Sequence, residues 1–98
     1  MAMHVGVARV ALHLAENSSL KGKRMVVKSV AQRVRNRFNV AVAEVDTQDA
    51  WEVITLGIVC VSDDRRHANE MLSKVVDFIE SERLDAEVGA VEFELIAV

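Results

Sequence analysis

Proline is absent from this sequence, so its turns must be built from Gly, Asn, Asp and Ser. Cysteine occurs once, at Cys60, which excludes an internal disulfide and fits a reducing compartment. Aromatic residues are few: Phe38, Trp51, Phe78 and Phe93. The four glycines, Gly6, Gly22, Gly57 and Gly89, stand alone, which excludes a glycine-rich phosphate loop. No apolar run approaches the roughly 18 residues of a membrane span, and no signal-peptide pattern opens the chain. A cytoplasmic protein with no membrane partner is therefore expected. His4, His13 and His67 show no ligand spacing and no CxxC occurs, so neither a metal nor a cofactor is expected.

What is present is a well-patterned globule with a hydrophobic fraction of 51% over 98 residues. That length suits one domain spanning residues 1–98. The apolar, β-branched run from Met3 to Leu14 reads as a first strand. A helix over Leu20–Asn36 follows, with Ser18 or Ser19 as its cap. Its apolar face carries Leu20, Val27, Val30, Ala31, Val34 and Phe38. Strands are expected at Val40–Asp46 and Trp51–Ser62. Asp63 and Asp64 suit the start of a second helix with a buried stripe of Ala68, Met71, Leu72, Val75, Val76 and Ile79, and Arg83 suits its other pole. A last strand covers Ala86–Val98. The order β-α-β-β-α-β predicts an α+β ferredoxin-like sandwich, with two helices on one face of a four-stranded antiparallel sheet.

The open face of such a sheet follows from period-2 alternation. Val10, Leu12, Leu14, Ile54, Leu56, Ile58 and Cys60 should point inward. Val7, Arg9, His13, Trp51, Val53, Thr55, Val59 and Val61 then share the other face. That set is too apolar for full exposure, so a homodimer interface through Val7, Arg9, Trp51, Val53, Val59 and Val61 is expected. Strand twist or a slip of one residue in register would explain it more simply.

The net charge of −3 hides a split molecule. Residues 1–43 sum to +7 and residues 44–98 to −10. The stretch SSLKGKRMVVKSVAQRVRNRFNV holds seven of the twelve basic residues and no acid. Lys21, Arg24, Lys28 and Arg35 lie within about 60° on the helix, while Lys23, Arg33 and Arg37 lie elsewhere. Two readings stand side by side. The charges can be a solvated face paired with the acidic half, where exposed pairs contribute roughly 0–1 kcal/mol. Alternatively Lys21, Lys23, Arg24, Lys28, Arg33, Arg35 and Arg37 form a nucleic-acid-binding surface that tracks phosphates. Base stacking on the sheet is disfavoured, because only Trp51 offers a ring there. Catalytic constellations are weak. Cys60 reads as a buried, inert thiol. Glu44 and Asp46, two apart on one strand face, can pair as acid and base, but Arg9 and other cross-strand cations are the simpler partners, with Glu92 and Glu94 in the same polar patch.

SLKGKR (Ser19–Arg24), RFNV (Arg37–Val40) and AEV (Ala43–Val45) carry a resemblance to the YlxP-like family of small uncharacterised bacterial proteins, over Met3 to about Val98. The resemblance implies a ferredoxin-like fold and no established activity. It is associated with gene neighbours that act in translation initiation and ribosome binding, which implies ribosomal RNA or a ribosomal subunit as the partner of the basic helix. The expected role is non-enzymatic, in translation or ribosome maturation. The alternative is a homodimeric protein-interaction or small-ligand regulatory module using the open sheet face.

Overall fold

A computed structural model describes residues 3–14, 19–82 and 86–98. Ser18 and Arg83 of the sequence reading lie outside the described residues. The elements are β1 (His4–Leu14), α1 (Leu20–Arg37), β2 (Ala41–Glu44), β3 (Val53–Ser62), α2 (Arg65–Ser81) and β4 (Ala86–Ala97). The four strands form one sheet in the order β2-β3-β1-β4, with every neighbouring pair antiparallel. Each βαβ half is split by a strand of the other half, which is the ferredoxin-like topology that the sequence predicts.

The helices start and stop for local reasons. The Ser19 hydroxyl accepts from the Gly22 amide at 3.0 Å, which satisfies one of the free donors of the first turn of α1. Phe38 turns extended, and its amide donates to the Val34 carbonyl at 2.8 Å to close the helix. The Asp64 carboxylate accepts from the Arg66 amide at 2.8 Å and caps α2. The rings of Phe38 and Phe78 meet edge to face with centroids 5.6 Å apart, so the two helices are pinned near the end of α1.

Alternation places the core where it was expected. Val10, Leu12, Leu14, Ile54, Leu56, Ile58 and Cys60 are all buried, with Val30, Ala31, Val34, Ala68, Leu72, Val75, Val76 and Ile79 packed over them. Gly6 lets the sheet and α2 approach closely: a Cβ there would sit 2.9 Å from Cys60 Sγ and 3.0 Å from Leu72 Cδ1. Burial pushes the Cys60 thiol above its ordinary pKa, against a smaller lowering by a backbone hydrogen bond from Gly6.

The larger departures from the sequence reading lie in the strands. β2 is shorter than Val40–Asp46, because Asp46 takes φ 64° and ends the extended run. β3 begins at Val53, so Trp51 lies in the bend before it. The pairing of β1 with β4 shifts between Val10 and Leu12, a bulge that reassigns the faces of β4 along its length.

Candidate functional site

The basic helix divides into three groups. Lys21, Arg24 and Lys28 are exposed along one stripe of α1, and among the described residues none of them makes an ion pair. Met25, 66% exposed, sits on the same stripe. Arg33, Arg35 and Arg37 are exposed but engaged. Arg33 approaches Glu82 at 3.7 Å. Arg35 Nη2 donates to the Val42 carbonyl at 2.8 Å and ties the helix to β2. The Arg37 guanidinium lies 5.1 Å from the centre of the Phe78 ring, within cation–π range. A guanidinium has five donors, so each of these three keeps donors for a further acceptor.

Lys23 is a correction. It is 1% exposed and cannot reach a phosphate from where it sits. Its ammonium meets Glu44 Oε2 at 2.7 Å and donates to the carbonyls of Thr47 and Ala50. The Thr47 hydroxyl donates to the same carboxylate oxygen at 3.1 Å and accepts from the Thr55 amide at 2.8 Å. Lys23 therefore fastens the first turn of α1 to the loop that joins β2 and β3. The helical period carries a signal for this. At about 100° per residue, Lys23 falls in the apolar sector, four, seven and eleven residues before Val27, Val30 and Val34.

Glu44 and Asp46 do not share a face. Glu44 points into the helix layer and meets Lys23, while the left-handed turn at Asp46 sends its carboxylate to the open side. There Asp46 meets Arg9 at 2.7 Å, the cross-strand partner expected for it. All three ion pairs found among the described residues join the basic N-terminal half to the acidic C-terminal half.

The register puts the expected open-face residues together. Val7 stands opposite Val59, Arg9 opposite Gly57, and His13 opposite Val53. Val59 and Val61 are 40% and 57% exposed. Val5 and Ile96 join this patch, since Val5 pairs with both Val61 and Ile96. Alternation from Val7 points to Val5; Ile96 becomes visible only once the register of β4 is known. Glu92 and Glu94 lie beside Arg9 and Val7 on the same face. Trp51 is 53% exposed at the loop end of the molecule.

A cavity of about 700 Å³ is lined by Asp64, Arg65, Arg66, Asn69 and Leu95, but Asp64 spends its carboxylate on the helix cap. Among the described residues, no group of three or more His, Cys, Asp or Glu is placed to hold a metal ion. No described helix is long and apolar enough to cross a membrane.

Comparison with known proteins places this geometry in context. The family described as "Protein of unknown function (DUF503)" matches residues 5–93. The "Uncharacterized protein YlxP" of Bacillus subtilis (strain 168) is 38% identical over 77 residues, covering 79% of this chain and 84% of that protein.

Proposed function

Because the chain belongs to the DUF503 family of proteins of unknown function, we propose that it acts without catalysis as an RNA- or ribosome-associated factor, docking on phosphates through α1. The observation that carries this reading is the stripe of Lys21, Arg24 and Lys28: three exposed cations with no ion pair among the described residues, on a helix without a single acid. Arg33, Arg35 and Arg37 extend the surface with their spare donors. Lys23 takes no part in contact and instead holds the helix in place. Fluorescence anisotropy with single-stranded RNA across a salt series tests the reading. About four phosphate contacts give a log–log slope near −3. Replacing Lys21, Arg24 and Lys28 together by Glu should abolish binding. A slope near zero, or binding unchanged in that variant, overturns the reading.

A second reading, a homodimeric protein-interaction or small-ligand module, is supported by the open sheet face. Val59, Val61, Ile96 and Met3 are each 40% exposed or more on or beside it. At ~3.4 Å per residue and ~4.8 Å between strands, strands of 11, 4, 10 and 12 residues present ~600 Å², about three quarters of the ~800 Å² per partner of a standard interface. Sedimentation equilibrium at micromolar concentration should show a dimer that Val59→Asp dissociates. A monomer in the unsubstituted chain removes this reading.

A further inference from the structure

The outer edge of β4 combines three features that are independent of α1. β4 closes the sheet, and among the described residues it has one hydrogen-bonded neighbour, β1. Met3 and Val98 exchange both of their backbone hydrogen bonds, at 3.1 and 2.7 Å, which fixes the phase of the ladder. Counting back from that pair, Ile96, Glu94 and Glu92 spend their backbone groups on β1, while Val91, Phe93, Leu95 and Ala97 turn theirs outward. The pairing over Val91–Ala97 runs without a shift, since the bulge lies on the other side of Val10.

The side chains of this edge alternate in kind. Val91 and Phe93 lie on the helix side and are each 38% exposed, so they form a small, partly covered apolar shelf. Glu92 and Glu94 lie on the open side and are exposed. β4 carries neither the lysine nor the proline that commonly blunts an edge strand.

From this we infer that the outer edge of β4 is a docking strand for an extended segment of a partner protein that alternates Lys or Arg with apolar residues. An added strand would bond the outward backbone groups of Val91, Phe93, Leu95 and Ala97. Its residues facing Glu92 and Glu94 then occupy non-hydrogen-bonded positions, where opposed side chains are closest and charge counts most. Cations belong there, and apolar side chains fall on the shelf of Val91 and Phe93. The same charges weigh against a second copy in two of the registers open to it. Pairing Val91–Ala97 with itself sets Glu94 opposite Glu94, and the register centred on Phe93 sets Glu92 opposite Glu94 twice.

The test uses the whole chain and two blocked peptides, one alternating lysine with valine and the other glutamate with valine. Amide hydrogen exchange and titration calorimetry are the readouts. The lysine peptide should slow exchange at Val91, Phe93, Leu95 and Ala97, and an N-methylated copy of it should not bind. Glu92→Lys combined with Glu94→Lys should weaken the lysine peptide about tenfold, and the glutamate peptide should now bind. Four outcomes overturn the inference. The lysine peptide does not bind, the charge reversal makes no difference, or protection falls elsewhere. In the fourth, the four amides become protected by raising protein concentration alone, which would assign the edge to a second copy.

Discussion

Replacing Lys23 by Met keeps the length of the side chain and removes its charge. In the folded chain this leaves the Glu44 carboxylate, whose side chain is 13% exposed, without its counter-charge and with only the Thr47 hydroxyl as donor, takes the Lys23 donor from the Ala50 carbonyl, and leaves the Thr47 carbonyl with the Ala50 amide alone. Breaking a buried pair by removing one partner costs about 3–5 kcal/mol. Domains of this size are stable by about 5–15 kcal/mol, so the loss is a large share of the total. At about 5 °C per kcal/mol the melting temperature should fall by about 15–25 °C. Thermal unfolding followed by circular dichroism measures this directly, and urea unfolding gives the free-energy loss. Removing both charges, Lys23→Met with Glu44→Met, should recover much of the loss, because an apolar pair of similar volume is often neutral. A Lys23→Met variant within about 1 kcal/mol of the unsubstituted chain would show that the pair contributes no more than an exposed one. The same variant separates the two roles open to Lys23. A phosphate contact would lose RNA affinity with stability intact, whereas the geometry predicts the reverse.

Gly6→Ala should destabilise by about 1–3 kcal/mol through overpacking, since the added methyl has no room beside Cys60 and Leu72; thermal unfolding shows it. Asp46→Val should cost about 1–2 kcal/mol, because a β-branched residue resists the left-handed turn, while the lost pair with Arg9 is exposed and adds little. Denaturant midpoints check this, and Asp46→Gly should be close to neutral. Cys60 should label slowly with iodoacetamide in the folded chain and rapidly on unfolding. Its raised pKa also sets a sign. The folded thiol stays protonated above the ordinary thiol range while the unfolded thiol ionises, so stability contributed by this group falls as pH rises through that range. A Cys60→Ala variant should lose that pH dependence.

Strand faces and helix faces were legible because their periods are strict. The alternation in β1 and β3 assigns every inward residue from Val10 to Cys60 without knowledge of any partner. Charge, by contrast, is a poor guide to exposure on a helix. Lys23 reads as one more cation in a basic run, yet its position relative to Val27, Val30 and Val34 puts it in the core-facing sector. Its acceptors come from Glu44, Thr47 and Ala50, more than twenty residues away in sequence, and nothing local announces them. Asp46 fails the alternation rule for a related reason. A single left-handed residue reverses the face, and Asp tolerates that conformation without any glycine to mark it. The faces of β4 depend on where the bulge falls against β1, which is a property of the paired strands and not of either sequence segment.

We propose the positive stripe of α1 as a surface that holds RNA. The most direct test is co-sedimentation of the chain with ribosomal subunits across a potassium chloride series. The expected result is retention on one subunit that falls steeply with salt, is lost when Lys21, Arg24 and Lys28 are replaced by Glu, and survives Glu92→Lys. No retention at low salt, or equal retention by the Lys21, Arg24 and Lys28 variant, would contradict it and leave the stripe as a solvated face.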